Sequence, residues 1–166
     1  MPVLSDNLIE AAREALDLCT NANLMIATAE SCTGGLVAAA LTSISGSSSA
    51  MERGFVTYSN AAKTDLLGVP ADLIEQHGAV SEPVARAMAE GAIKNSRCHV
   101  AVAITGIAGP TGGSLEKPVG TVHIAAARLN KTTRHRDAIF SGDRDAVRDA
   151  AACAALELLA ELAREA

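Results

Sequence analysis

Apolar positions along this chain alternate between helical spacing and short unbroken runs. Leu8, Ala12, Leu16 and Cys19 recur at three- and four-residue intervals, and Ser5 stands where a helix would need a cap. Residues 21–23 end that helix. Residues 24–27 form a short apolar run that reads as a buried strand, and the alanine-rich residues 36–44 read as a helix. Between them lies Thr28-Ala29-Glu30-Ser31-Cys32-Thr33-Gly34-Gly35, a strand-to-helix corner. Residues 45–49 form a Ser/Gly loop, and β-branched and aromatic residues predict a strand over 53–59. Asn60 is placed to cap a short helix that carries Lys63 and stops at Gly68. A further turn starts at Val69-Pro70 and ends near Gly78, and Ser81 caps a helix over 82–96 with proline in its first turn.

The unbroken apolar run 100–104 reads as a central strand covered on both faces. It leads into a second glycine-rich loop over 105–113. A strand follows over 121–127. The more polar 132–140 reads as an edge strand carrying Arg134, His135 and Arg136 outward. Ser141-Gly142-Asp143 then opens a long final helix with Val147, Ala151, Ala154, Leu158 and Leu162 along one stripe. Helices alternating with strands early, and two adjoining strands late, predict an α/β fold. The expected form is a three-layer α/β/α sandwich on a mixed sheet of about five strands, one domain over residues 1–166.

Composition narrows the picture. Apolar residues make up 49% of the chain but aromatics only 2%, so the core must be built from Ala, Val, Leu and Ile. The net charge of −5 and the scarcity of stacking side chains argue against a nucleic-acid surface. The four cysteines are widely spaced and form no C-x-x-C pair. No charged-then-apolar leader opens the chain, and no apolar run reaches the roughly 18 residues of a membrane span. A cytoplasmic protein with neither nucleic acid nor membrane as partner is expected.

Three constellations are chemical candidates. The first is Ser31, either a nucleophile or a plain helix cap, at a corner rich in backbone N–H groups that suit an anion or oxyanion. A serine needs a base, and none of His77, His99, His123 and His135 falls in a comparable loop. Lys63 can serve if burial lowers its pKa from about 10.4 to about 7–8, a differential cost near 4 kcal/mol; otherwise it is a solvated helix lysine. The second is the loop beginning at Thr105, which lacks the Gly-Lys-Ser/Thr of a phosphate-binding P-loop. If its strand neighbours the one before Ser31, both loops line one crevice. The third is the start of the final helix, where Arg144 and Arg148 stack at i,i+4. An anion would relieve their repulsion, or Asp145 and Asp149 neutralise it.

Taken in order, these residues resemble the CinA C-terminal domain family. The resemblance rests on residues 28–35, on Gly46-Ser47-Ser48, and on Glu52-Arg53-Gly54-Phe55-Val56-Thr57-Tyr58-Ser59-Asn60. It continues through Ala62-Lys63, residues 78–84, Thr105-Gly106-Ile107-Ala108-Gly109-Pro110, residues 116–122 and residues 141–148. It implies a nicotinamide-nucleotide amidase that converts nicotinamide mononucleotide and water to nicotinic acid mononucleotide and ammonia. It also implies a serine nucleophile at Ser31 and a lysine base at Lys63. Tyr58 matches the family's tyrosine and is expected to orient Lys63 or relay a proton. On this reading the N–H groups near Thr33, Gly34 and Gly35 hold the oxyanion. Arg144, Lys117 and the loop with Thr105, Gly106 and Gly109 hold the phosphate, while Glu30 and Ser48 support the pocket. No metal or cofactor is called for, and a homo-oligomer, a dimer first, is expected. Ala61 departs from the acidic residue often found there. A non-catalytic pyridine-nucleotide-binding or regulatory module, and an amidase for another small amide, are the competing classes.

Overall fold

Three parallel strands make one side of the sheet, and two antiparallel strands complete it. The computed structural model describes residues 3–165; residues 1, 2 and 166 of the expected domain lie outside the described residues. In sheet order the strands are β2 (Met51–Val56), β1 (Ile26–Glu30), β3 (Val100–Gly106), β4 (Thr121–Arg128) and β5 (Arg134–Ile139). β1 runs parallel to both β2 and β3, whereas β4 pairs antiparallel with β3 and β5. This is the mixed five-stranded sheet the sequence predicts. The β1–β3 register, Ile26↔Val100 through Glu30↔Ile104, sets their carboxyl ends level, so the two glycine-rich loops open on one edge.

Strand alternation divides the core between two helical layers. Ile26, Val100, Val102, Ile104, Val122 and Ile124 face α1 (Asp6–Asn21), α2 (Leu36–Thr42) and α6 (Arg144–Ala163). The opposite face is nearly all alanine: Ala27, Ala29, Ala101, Ala103, Ala125 and Ala127 lie under α3 (Asn60–Leu67), α4 (Ala71–His77) and α5 (Glu82–Lys94). Small side chains let these helices pack close, which is how a chain with so few aromatics buries its core. Gly91 shows how close: a Cβ there would stand 2.0 Å from the Leu67 carbonyl oxygen.

Several boundaries differ from the sequence reading. β1 runs on through Thr28 and Ala29 to Glu30, because the polar side chains of Thr28 and Glu30 are themselves buried. β2 ends at Val56 rather than residue 59, where its pairing with Glu30 ends; Thr57 N–H then donates to the Glu30 carbonyl. Ser59, not Asn60, caps α3, its hydroxyl accepting from Ala62 N–H. In β5, alternation prevents three successive residues from sharing a face. Arg134 and Arg136 pair with Glu165 and Glu161, at and beyond the end of α6. His135 turns to the other side, its Nε2 2.9 Å from His123 Nδ1. Among the described residues no helix is long and apolar enough to cross a membrane.

Gly91→Ala separates packing from helix propensity. Propensity alone would make it stabilising by roughly 0.5–1 kcal/mol. The 2.0 Å approach to Leu67 predicts instead a loss of about 1–3 kcal/mol, read as a lower midpoint in thermal unfolding.

Candidate active site

The corner after β1 is shaped by a buried carboxylate. Glu30 accepts from Thr33 Oγ1 at 2.7 Å and from the N–H groups of Val37 and Ala38 at 2.9 and 3.1 Å. It thereby occupies the free N–H groups at the start of α2, whose N-cap, Gly35, has φ +103° and no side-chain cap. Ser31 is therefore not the helix cap. Gly34, at φ +60°, closes a turn by donating its N–H to Ser31 O at 3.0 Å. Ser31 N–H donates to Ile104 O at 3.0 Å and prolongs the β1–β3 pairing. Ser31 is thus held at the carboxyl end of β1, where the chain order switches between β2 on one side and β3 on the other, the usual ligand crevice of open α/β sheets.

Lys63 reaches this point from the second turn of α3. It is 1% exposed, and its Nζ lies 3.0 Å from Ser31 Oγ, 2.9 Å from Thr57 O and 3.2 Å from Tyr58 O. No carboxylate lies within ion-pair distance of it among the described residues. Burial pushes its pKa below the ordinary lysine value, opposed only by the neighbouring Cys32. A neutral amine has two N–H groups and one lone pair. In that form the two backbone carbonyls would match the N–H groups and the lone pair would face the Ser31 hydroxyl. The adjacent Cys32 thiol is pushed up to about 11 by its own burial, so it stays protonated at neutral pH and is a poor rival nucleophile.

A cavity of about 180 Å³ opens onto this pair. Of the residues singled out in the sequence, Ser31, Tyr58, Lys63, Thr105, Gly106 and Arg144 line it. Cys32, Asn60, Ala79, Val80 and Ala108 line it too, without having been singled out. The Ala79-Val80 segment lies inside the resemblance motif 78–84, but only tertiary packing turns it toward Ser31. Thr105 Oγ1 holds that segment by donating to Ala79 O at 2.9 Å. Gly106 has no room for a side chain: a Cβ would meet Val122, the Thr121 carbonyl and Cys32 Sγ at 2.8–3.1 Å.

Other expected residues take different positions. Tyr58 is 63% exposed and its phenol accepts from Arg144 Nη2 at 3.2 Å, while its carbonyl accepts from Lys63. Arg144 Nη1 also donates to Gly109 O at 2.6 Å. Glu30, Thr33, Gly34 and Gly35 stand behind the cavity wall, and the Gly34 N–H is taken by Ser31 O. Cys32 is on the wall, and among the described residues no backbone carbonyl accepts its N–H. Lys117 is off the wall, its Nζ donating to His77 O at 2.9 Å. Ser48 sits in a 3₁₀ turn, Ser47–Ser49, ahead of β2 and at the opposite end of the sheet from Ser31. The arginine pair is split: Arg148 donates to Cys32 O and Thr33 O, both at 3.1 Å, and Asp149 accepts from Ser5. Among the described residues no group of three or more His, Cys, Asp or Glu is disposed to hold a metal ion.

Fold and site together define a three-layer α/β protein with a buried serine–lysine pair at the sheet's carboxyl edge. The family model of the CinA C-terminal domain matches residues 9–163, and the chain belongs to that family. Nicotinamide-nucleotide amidohydrolase PncC of Escherichia coli is 58% identical over 134 residues, 81% of each chain. A CinA-like protein of Syntrophobacter fumaroxidans is 57% identical over 136 residues; these are 81% of this chain but 31% of that longer protein. Among solved structures, the competence/damage inducible protein CihA from Agrobacterium tumefaciens superposes with a TM-score of 0.94. It is 48% identical, and the match covers 98% of this chain and 99% of that one.

The lowered pKa of Lys63 has a testable sign. Between its folded value and the ordinary 10.5, the unfolded chain binds the proton and the folded one does not, so this group's contribution to stability grows as pH rises through that window. Lys63→Met lacks the contribution. Wild type is therefore expected to gain stability relative to Lys63→Met from pH 7 toward pH 10 in denaturant titrations. A constant difference would refute a depressed lysine.

Proposed function

We propose that this chain hydrolyses the carboxamide of nicotinamide mononucleotide, releasing ammonia and nicotinic acid mononucleotide through an acyl-enzyme on Ser31. The observation that carries the reading is the buried Lys63 amine 3.0 Å from Ser31 Oγ, two carbonyls on its N–H groups and no carboxylate beside it. The likeness to PncC, an amidohydrolase by name, supports the reaction class.

In the first step Lys63 takes the Ser31 hydroxyl proton as Oγ bonds to the carboxamide carbon. The carbonyl oxygen becomes an oxyanion, and we assign its donor as the N–H of Cys32, the residue after the nucleophile, because Cys32 is on the cavity wall and no backbone carbonyl among the described residues accepts that N–H. Of the expected Thr33–Gly35 donors, Gly34 N–H is engaged by Ser31 O, and neither Thr33 nor Gly35 lines the cavity. Lys63 then returns the proton to the nitrogen, the C–N bond breaks and ammonia leaves. Water attacks the ester with Lys63 as base, and the Ser31 hydroxyl is restored.

Cavity size assigns the two ends of the substrate. At about 180 Å³ it is smaller than the roughly 300–1,000 Å³ of drug-sized sites, so it suits the pyridine ring rather than a whole nucleotide. The ribose phosphate then lies at the mouth, where the exposed Arg144 offers its guanidinium beside Tyr58. Lys117, held on His77 O, has no part in this reading.

Four measurements test it. Ammonia release from nicotinamide mononucleotide separates an enzyme from a binding module. Ser31→Ala should abolish both turnover and the Ser31 adduct seen by mass spectrometry of quenched enzyme. Lys63→Arg keeps charge but cannot act as base, so it should lose at least about 100-fold in kcat. Plain nicotinamide should be the poorer substrate, and equal rates would dismiss the phosphate contact.

A further inference from the structure

The second arginine of the final helix has no place in the chemistry above, yet it is tied to the nucleophile's loop by two hydrogen bonds. Arg148 projects from α6 across the layer interface and donates Nε–H to Cys32 O and Nη2–H to Thr33 O, each at 3.1 Å. Its guanidinium also packs beside Gly34, where an added Cβ would stand 3.4 Å from Nη2. Three successive peptides follow the nucleophile, and each carbonyl is accounted for. Ser31 O accepts from Gly34 N–H; Cys32 O and Thr33 O accept from Arg148, and Thr33 O also from Leu36 N–H.

Peptide planarity makes these bonds a chain of constraint. In a trans peptide the C=O and the following N–H point in opposite directions. Holding Thr33 O toward α6 therefore sends Gly34 N–H the other way, where it meets Ser31 O. Holding Ser31 O there sends the Cys32 N–H away from it. Gly34 at φ +60° and Gly35 at φ +103° supply the left-handed turns that this path requires.

We infer that Arg148 is a positioning residue for the amidase reaction: through the Thr33–Gly34 and Ser31–Cys32 peptides it aims the Cys32 N–H at the oxyanion. The two arginines one turn apart then have separate tasks. Arg144 meets the substrate's phosphate, and Arg148 never touches substrate. The inference rests on the amidase reading above, so its test carries a probe that needs no phosphate.

Arg148→Met and Arg144→Met are compared on nicotinamide mononucleotide and on the rate of Ser31 acylation by p-nitrophenyl acetate, followed by mass spectrometry. A donor misplaced by an ångström costs on the order of 100-fold, so Arg148→Met should lose about that in kcat, with KM changed by less than about threefold. It should slow acylation by the ester to a similar degree. Arg144→Met should instead raise KM for the nucleotide about tenfold. Arg148→Lys keeps the charge but cannot span both carbonyls, and it serves if the methionine variant unfolds; it should lose about tenfold in kcat at near-native thermal midpoint. Wild-type kcat in a folded Arg148 variant, or a loss confined to KM, would overturn the inference. A wild type that releases no ammonia yet is acylated at Ser31 would overturn the substrate reading alone, and the ester rates would still decide Arg148.

Discussion

An amine kept out of water is the constraint around which the site is built. Lys63 would be a charged surface group anywhere else on a helix of this kind. Here burial makes the ammonium form costly, and among the described residues no carboxylate stands within ion-pair distance to relieve that cost. Two backbone carbonyls accept its N–H groups without supplying a full negative charge, so they hold the amine in place but do little to restore the proton. Those carbonyls belong to Thr57 and Tyr58, the residues just past the last β2 pairing. Ending β2 at Val56 and capping α3 with Ser59 are therefore what bring a helix lysine within hydrogen-bond reach of Ser31.

A second buried polar side chain does the opposite kind of work. Glu30 is ionisable, buried and strand-borne, but it is satisfied by one hydroxyl and two helix N–H groups. It ties the end of β1 to the start of α2 and consumes the N–H groups that would make that helix start an anion site. Glycine in the corner serves the turn itself, with Gly34 and Gly35 in left-handed conformations. The first two turns of α6 complete the frame. Arg144 ties Tyr58 to Gly109, and Arg148 holds Cys32 and Thr33, so one helix edge braces all three loops at the carboxyl edge of the sheet.

Most of the fold was legible in the chain. Ser5, Gly68, Gly78 and Asp143 mark helix ends by local chemistry, since caps and left-handed turns act over a few residues. The run over residues 100–104 announced a strand covered on both faces. What misled was polarity: Thr28 and Glu30 looked like a break in β1, yet both are buried, Glu30 on partners at Thr33 and the start of α2 that lie outside the strand. His135 looked solvent-facing beside Arg134 and Arg136, although strand alternation alone puts it on the other face.

For the site the division is sharper. The sequence by itself determined the strand-to-helix corner at Ser31, the lack of a histidine partner in its loop and a candidate lysine 32 residues on. It also determined that a glycine-dense loop follows the central strand, because these are matters of residue type and order. Only the tertiary structure decided that Lys63 reaches Ser31, that Tyr58 meets Lys63 through its carbonyl and Arg144 through its phenol, and that Ser48 lies at the far end of the sheet. It also parted Arg148 from Arg144. The physical reason is common to all of these. Which hydrogen-bond partner a long polar side chain finds, and how much water it keeps, depends on groups brought together by parallel strand pairing and helix packing, and nothing in local sequence carries that information.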